Sequence, residues 1–204
     1  MMVSASPTDG IRIVRITSSE DAAPYRASFA GAYQDIFSEP PYNERFSPDE
    51  AAGVLTSFVG VPDNITLLAI KGQETVVAFG IGVPCIARSD VARELRGLLT
   101  VAHTYYLAEL GVLAGYRGRG LGRELVARRL ALIDTRRYTQ VVLRTSAVRN
   151  ASYEMYVSLG FDDIGVYMEV PARRLDGIVT TDRRLFLAKA LHPTDGGERG
   201  ATAP

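Results

Sequence analysis

The residues best suited to chemistry form a glycine-rich turn over residues 116–122, with the sequence Tyr-Arg-Gly-Arg-Gly-Leu-Gly. An apolar, strand-like run precedes the turn at residues 105–113, and a helix-like run follows it from residue 121 to about residue 136. A turn between a strand and a helix exposes backbone N–H groups at the positive end of the helix dipole. Because glycine lacks a Cβ atom, a ligand can approach this backbone closely. The turn therefore predicts a site for a phosphate or pyrophosphate group.

The spacing of the glycines excludes two common phosphate-binding motifs. The dinucleotide fingerprint requires G-x-G-x-x-G, whereas this turn has G-x-G-x-G and no acidic residue ends a second strand at the expected distance. The nucleoside-triphosphate loop requires Lys and then Ser or Thr after its last glycine, and neither follows Gly122. The spacing that remains is Arg117-x-x-Gly120-x-Gly122, with Arg123 as a further positive charge. The alternative is a surface turn with solvated arginines.

A second segment follows the helix-like run and carries polar residues in a fixed order. A short β-branched strand at residues 140–145 leads to Asn150-Ala151-Ser152, then to Tyr156 and Gly160-Phe161. Together the two segments resemble the motifs of the GNAT superfamily of acyl-CoA-dependent N-acetyltransferases, over roughly residues 105–161. Asn150 stands one residue closer to Tyr156 than in the family pattern, so a role shared with Arg149 or Ser152 stays open.

The resemblance implies a fold and a cofactor. The fold class is α/β, a single domain with a mixed central β-sheet flanked by helices and splayed at the cofactor site. The implied cofactor is acetyl-CoA, and no metal is expected. The residues implied to contact the cofactor are Leu110, Val112, Arg117, Gly118, Arg119, Gly120, Leu121, Gly122, Arg123, Asn150 and Ser152. Backbone N–H groups of residues 110–113 would polarise the thioester carbonyl, and Gly111 would allow the strand to distort there.

Two side chains are candidates for proton transfer. By the resemblance, Tyr156 is the general acid that protonates the leaving thiolate, since a phenol remains protonated at neutral pH. The alternative for Tyr156 is packing on an amphipathic helix. Glu109 is the candidate general base, because it is a carboxylate in an otherwise apolar strand, where burial raises its pKa. The alternatives for Glu109 are a buried salt bridge or a position that faces solvent.

The acceptor site is less defined by the sequence. Glu39 and Tyr42 lie between two predicted N-terminal helices, in the region that walls the acceptor site in the family. Tyr105 is a third candidate substrate contact, with His103 and Tyr106 beside it. For each of these residues, an ordinary loop or strand position is the alternative.

The elements around these residues alternate between strands and helices, which predicts a layered α/β domain over residues 11–191. Residues 1–10 are predicted to be disordered and residues 192–204 to form a flexible tail. Strands are predicted at residues 11–16, 66–70, 75–83, 165–170 and 184–190, with helices over residues 22–37 and from residue 47. The arginines of the helix after the glycine turn, apart from Arg123, are assigned to a solvated face.

Composition narrows the functional class. Lys plus Arg equals Asp plus Glu at 23 each, so no overall charge draws the protein to nucleic acid. The single Cys85 excludes an internal disulfide framework. No secretion signal or apolar run long enough to cross a bilayer is evident, so a cytoplasmic enzyme with no membrane partner is expected. A homodimer remains open.

The sequence thus predicts an enzyme that moves an acetyl group from acetyl-CoA to a primary amine of a small molecule or peptide. Two alternatives stay open. One is a protein N-terminal acetyltransferase, and the other is a non-catalytic sensor that binds acyl-CoA. The acceptor itself is not predicted, because a fold and its cofactor do not fix the substrate.

Overall fold

Seven strands of the chain join into one mixed sheet in the computed structural model, which describes residues 10–192. The strands are β1 (Ile11–Ile16), β2 (Ile65–Lys71), β3 (Thr75–Pro84), β4 (Thr104–Val112), β5 (Gln140–Ser146), β6 (Asp162–Arg173) and β7 (Val179–Ala190). Their order across the sheet is β1-β2-β3-β4-β5-β7-β6. Only β4 and β5 pair in parallel, and the other neighbours within this described part are antiparallel. The predicted mixed sheet is confirmed.

The helices occupy both faces of this sheet. They are α1 (Ser19–Ala22), α2 (Arg26–Ser38), α3 (Pro48–Val59), α4 (Ser89–Leu95), α5 (Leu121–Leu132) and α6 (Ala151–Ser158). The start of α3 follows from its sequence: the Ser47 side chain accepts a hydrogen bond from the Glu50 amide, and the Glu50 carboxylate accepts one from the Ser47 amide at 2.7 Å. None of the helices in residues 10–192 is long and apolar enough to cross a membrane.

The core consists of two apolar layers, one on each face of the sheet. Aromatic side chains of α2 pack on the first face, where the rings of Phe29 and Phe79 lie 4.8 Å apart between centroids. Leucines of α5 and Tyr156 of α6 pack on the second face. Val142 of β5 belongs to the first layer and Leu143 to the second, as the alternation of side chains along a strand requires.

The sheet opens between its two parallel strands. β4 pairs with β5 only from Thr104 to Leu107, and beyond Leu107 each strand keeps only its outer neighbour. At the same point β4 carries a bulge, since Glu109 pairs with Ile81 while Leu107 pairs with Gly82, which leaves Ala108 without a partner. The sheet is therefore splayed as the resemblance implied.

The distortion of β4 lies at Ala108 and not at Gly111, where the sequence placed it. Gly111 pairs regularly with Phe79. A Cβ atom at Gly111 would stand 2.5 Å from Cζ of Phe79, so glycine is required there for packing rather than for bending the strand.

Several predicted boundaries move in the structure. The helix predicted from residue 121 to about residue 136 ends at Leu132, and the last two strands extend into a long hairpin, Asp162–Arg173 with Val179–Ala190. The predicted disorder of residues 1–10 and the tail at 192–204 lie outside the described residues, apart from Gly10 and His192.

Candidate active site

A cleft of about 550 Å³ lies where the sheet opens, against the start of α5. This volume is in the range of small-molecule and cofactor sites. The glycine turn, the end of β4 and the start of α6 supply its walls, with Ile36, Pro40 and Pro41 on the remaining side. Its lining residues include Leu110, Val112, Arg117, Gly118, Gly120, Leu121, Gly122, Arg123, Asn150 and Ser152. We refer to it as the cofactor cleft.

The start of α5 presents unoccupied backbone donors to the cofactor cleft. Gly120 is the residue before the helix, and no side chain caps its first turn. Gly118 and Gly120 adopt φ angles of 72° and 80°, which favour glycine over residues with side chains. A Cβ atom at Gly120 would meet no atom of the described residues within 4 Å, so the space beside this backbone is open in that part of the chain. Amides at such a helix start attract an anion.

The arginines around the turn divide into different roles. Arg117 Nε donates to the Val112 carbonyl at 2.9 Å, and its Nη1 forms an ion pair with Glu39 at 2.5 Å. Arg123 lines the cleft and donates to Oγ of Ser158 at 2.7 Å. Arg119 is exposed over the Tyr116 ring and does not line the cleft. The structure thus brings Arg117 and Arg123 to the predicted cofactor site and leaves Arg119 outside it.

Asn150 has a structural contact as well as a place in the cleft. Its Oδ1 accepts a hydrogen bond from the Tyr153 amide at 3.0 Å, which caps the start of α6. Ser152, the second residue of the same helix, borders the cofactor cleft and also a second cavity.

The second cavity, of about 200 Å³, continues from the cofactor cleft on the first face of the sheet. The two share Tyr42, Leu110 and Ser152 as lining residues. The remaining walls come from distant parts of the chain: Tyr33, Phe37, Glu44, Leu107, Ala108, Glu109, Arg144, Thr145, Tyr156, Val170, Pro171 and Arg184. We refer to it as the acceptor cavity. It contains both predicted proton-transfer residues.

Glu109 lies at the floor of the acceptor cavity, half-buried just after the bulge of β4. Burial raises the pKa of Glu109 to about 7, and Glu44 adds to this rise. The guanidinium groups of Arg144, Arg88 and Arg184 act in the opposite direction on the same pKa. A carboxyl group with a pKa near neutrality suits proton transfer at physiological pH.

Tyr156 reaches the acceptor cavity from the opposite side, on α6. The helix ends at Ser158, and Gly160 beyond it has a φ angle of 80°, which turns the chain so that Phe161 packs edge-on against the Tyr156 ring at 5.7 Å. Burial raises the pKa of Tyr156 above its usual value, while nearby Arg129 opposes that rise. The hydroxyl group therefore keeps its proton at neutral pH and remains available as a donor.

Two predicted substrate contacts are placed elsewhere by the structure. Glu39 pairs with Arg117 beside the cofactor cleft and does not line the acceptor cavity. Tyr105 is buried on the second face of the sheet, where its hydroxyl donates to the Asp63 carbonyl at 2.8 Å. Tyr106 is fully buried and His103 is exposed at the far end of β4, and neither lines the cavity. Of this set, only Tyr42 borders the acceptor cavity.

Comparison with known proteins identifies the family. The Acetyltransferase (GNAT) family matches residues 28–161, which include both cavities' central walls. The chain belongs to the GNAT acetyltransferase family.

Individual relatives of this GNAT protein are distant. It is 37% identical over 60 residues to N-acetylaspartate synthetase of Xenopus tropicalis, a match that covers 29% of this chain and 22% of that protein. The chain thus spans well under two thirds of that relative's length. Among solved structures, it resembles ribosomal-protein-alanine N-acetyltransferase from Brucella melitensis, with a TM-score of 0.62 and 18% identity over 88% of this chain and 99% of that one. The NatC complex bound to Gag peptide and CoA gives a TM-score of 0.57 and 16% identity, over 89% and 99% of the respective chains.

The structure also corrects the expectation for Arg129 of this GNAT protein. Arg129 was grouped with the solvated arginines of α5, but its side chain is fully buried between α5 and the sheet. Its Nη1 donates to the carbonyls of Ile81 and Glu109 at 2.9 and 3.0 Å, and these two residues are the β3–β4 pair directly after the bulge. Its Nη2 has no hydrogen-bond partner among the described residues. Arg129 therefore ties α5 to the bulge on which Glu109 stands.

Most side chains of the acceptor cavity carry no recognisable signal in the amino-acid sequence. Glu44, Arg144 and Arg184 come from a loop and two separate strands, and no spacing links them. Arg184 donates to Glu44 at 2.7 Å and to Asp182 at 3.0 Å, and its guanidinium covers the Tyr42 ring. A network of this kind depends on tertiary pairing, which periodicity does not reveal.

Proposed function

We propose that this protein transfers an acetyl group from acetyl-CoA to the amine of a small molecule or a peptide. The observation that carries the proposal is the junction of two cavities at Tyr42, Leu110 and Ser152. One cavity has backbone donors for a phosphate, and the other contains a carboxyl group and a phenol beside the junction. A two-substrate reaction requires two adjoining sites of this kind.

The cofactor cleft fits acetyl-CoA in its chemistry. The uncapped start of α5 and the open space beside Gly120 suit a pyrophosphate. The edge of β4 that faces β5 has no strand partner beyond Leu107, so amides near Leu110 and Val112 are available to an acyl carbonyl. A structural relative bound to CoA supports the same assignment. When bound, acetyl-CoA supplies an acetyl group on a thioester, with a thiolate as the leaving group.

Two residues of the chain each carry out one of the two proton transfers. Glu109 accepts a proton from the attacking amine, directly or through a water, because its pKa near 7 makes it a base at physiological pH. Tyr156 donates the proton of its hydroxyl group to the thiolate from the other side of the junction. Arg129 holds the Glu109 carbonyl and so fixes the strand that presents the carboxylate.

Membership of the family does not determine which class of amine accepts the acetyl group. The relatives include an N-acetylaspartate synthetase, named for an acetylated amino acid, and a ribosomal-protein-alanine N-acetyltransferase, named for a protein. The acceptor cavity, at about 200 Å³, fits a small amine or the terminal residue of a peptide. Both remain within the proposal.

The proposal is tested by measuring CoA release from acetyl-CoA with a panel of amines and peptides. We expect amine-dependent CoA release and an N-acetylated product of matching mass. Reactions without amine give the background hydrolysis rate. Tight binding of CoA in calorimetry without turnover of any amine or peptide would instead support a non-catalytic acyl-CoA sensor.

A further inference from the structure

Arg144 of β5 is a positive charge in the acceptor cavity with no carboxylate oxygen within hydrogen-bond distance among residues 10–192. Its side chain is 19% exposed and lines the cavity. Its Nη1 lies 3.1 Å from Sδ of Met168, which is a weak acceptor, and 3.7 Å from Oδ2 of Asp90. Both carboxylate oxygens of Asp90 already accept hydrogen bonds from Arg88, at 3.2 and 3.1 Å. The guanidinium of Arg144 is therefore poorly satisfied by the protein.

Arg184, the neighbouring arginine, differs from Arg144 because its guanidinium has carboxylate partners. Arg184 lies on the adjacent strand, diagonal to Arg144, because Arg144 pairs with Phe186. Arg184 has carboxylate partners in Glu44 at 2.7 Å and Asp182 at 3.0 Å. Two guanidiniums thus border one cavity on one face of the sheet, and only one of them is neutralised by hydrogen-bonded carboxylates.

Glu109 supplies the opposite charge on the same face. The bulge at Ala108 turns Glu109 to the face of Tyr106 and Ile81, which is also the face of Arg144. Glu109 and Arg144 both line the acceptor cavity and influence each other electrostatically. Glu44, the other carboxylate of this cavity of about 200 Å³, is already paired with Arg184. The carboxylate of Glu109 and the guanidinium of Arg144 that remain match a ligand with an ammonium and a carboxylate close together.

We propose that Arg144 binds a carboxylate of the acceptor, and that the acceptor is therefore an amine that carries a carboxylate, such as a free amino acid. The inference rests on the proposed acetyl transfer and specifies its substrate class. A carboxylate replaces the Met168 sulfur as the partner of the Arg144 guanidinium, which gains charge-assisted hydrogen bonds. The amine of the same molecule then lies toward Glu109 and the junction with the cofactor cleft.

Arg144 has a second effect that the test must separate from carboxylate binding. Its charge also lowers the pKa of Glu109, so its removal alters the proton acceptor for every amine. Carboxylate binding, in contrast, affects only acceptors that carry a carboxylate. Acceptors matched in shape but different in charge distinguish the two effects.

The experiment compares three matched sets of acceptors with wild-type protein and acetyl-CoA. Each set contains an amino acid, its amide and its decarboxylated amine: L-alanine, L-alaninamide and ethylamine; L-leucine, L-leucinamide and 3-methylbutylamine; L-phenylalanine, L-phenylalaninamide and phenethylamine. We expect kcat/KM, corrected to the neutral-amine concentration, to be about 10- to 100-fold higher for the amino acid than for its amide in at least one set.

The variant Arg144→Gln should remove this preference, mainly by raising KM for the amino acid, and should change the amide much less. Arg144→Lys keeps the charge but loses the two-pronged geometry, so it should restore only part of the preference. Arg128→Gln is the matched control, because Arg128 is an exposed arginine of α5 whose partner is Glu124. Calorimetry with CoA shows whether each variant is folded.

Three results would overturn the inference. Wild-type protein could acetylate amides, amines or peptide N-termini at least as well as every amino acid tested. Arg144→Gln could slow amino acids and amides by the same factor, which would leave Arg144 as a residue that only adjusts Glu109. If wild-type protein binds CoA but releases none of it from acetyl-CoA with any amine, the proposed function itself fails, and that result is distinct from the other two.

Discussion

The cofactor cleft and the acceptor cavity adjoin each other but are built in different ways. The cofactor cleft relies on backbone groups of a few consecutive segments, above all the glycine turn and the start of α5. The acceptor cavity relies on charged and aromatic side chains from α2, a loop and several strands. Backbone donors bind a phosphate whatever the rest of the ligand is. Side chains, in contrast, can be substituted one at a time, and each substitution can change which ligand fits. The part of the site that we propose for acetyl-CoA is therefore the part that a short motif can encode.

The two regions also differ in electrostatics. The cofactor cleft is bordered by exposed charges such as Arg117 and Arg123, which solvent screens. In the acceptor cavity, burial raises the pKa of both Glu109 and Tyr156. Chemistry that depends on shifted pKa values thus belongs to the acceptor side of the junction.

A charge placed at Gly120 should abolish cofactor binding. Asp and Asn have nearly the same size, and both tolerate the left-handed backbone conformation that Gly120 adopts. Gly120→Asp puts a negative charge where we place the pyrophosphate, so CoA binding in calorimetry should fall below detection. Gly120→Asn should bind measurably. Equal affinities for the two variants would show that the anion does not lie at the start of α5.

Removal of one hydroxyl group tests the acceptor side. Tyr156→Phe keeps the ring and its packing on Phe161 but removes the proton donor. We expect kcat to fall by about 100-fold with CoA affinity nearly unchanged. Steady-state kinetics and calorimetry on the same sample separate these quantities. A variant with wild-type kcat would reduce Tyr156 to a packing residue.

The difference between the two cavities also determines which parts of the site can be predicted from the sequence. The cofactor cleft was predictable because its key groups are consecutive in the chain, and the alternation of strands and helices gave the fold. Tyr105 was misplaced for a physical reason. Residues four apart share a face in a regular strand, but the bulge at Ala108 puts Tyr105 and Glu109 on opposite faces.

Arg129 shows a second limit of sequence interpretation. A buried arginine is rare, so its sequence position favoured solvent. Only the structure shows that carbonyls of Ile81 and Glu109, exposed by the bulge, need a donor from α5. Arg144 and Arg184 likewise became informative only once strand pairing placed them side by side. Side chains that act across strands are not encoded in local spacing.

The pH dependence of the reaction tests the base. The folded pKa of Glu109, about 7, lies above the usual value for a glutamate, so the free enzyme loses the proton from this group as pH rises through about 7. Since kcat/KM reports on the free enzyme, it should rise with pH through the same region. Glu109→Gln should flatten this rise and lower kcat/KM at pH 8 by roughly tenfold, a modest loss because water can also accept the proton.

The substrate amine must also lose a proton, and it can produce a similar rise. Profiles measured with amines of different pKa separate the two sources. A rise that moves with the pKa of the amine and persists in Glu109→Gln would assign Glu109 a structural role.

The smallest expected effect concerns Asn150, which has a structural contact in α6 and also lies in the wall of the cofactor cleft. It caps α6 through its Oδ1 atom and also borders the cofactor cleft. Asn150→Ala should lower the free energy of unfolding by about 1 kcal/mol, the usual cost of losing such a cap.

Asn150→Ser keeps a capping oxygen but removes the amide group, so chemical denaturation should show stability close to wild type. If the amide contacts the cofactor, Asn150→Ser should still weaken CoA binding in calorimetry. If both stability and affinity of Asn150→Ser match the wild type, Asn150 acts only as a helix cap, and the cofactor cleft depends on the backbone of the glycine turn even more than we propose.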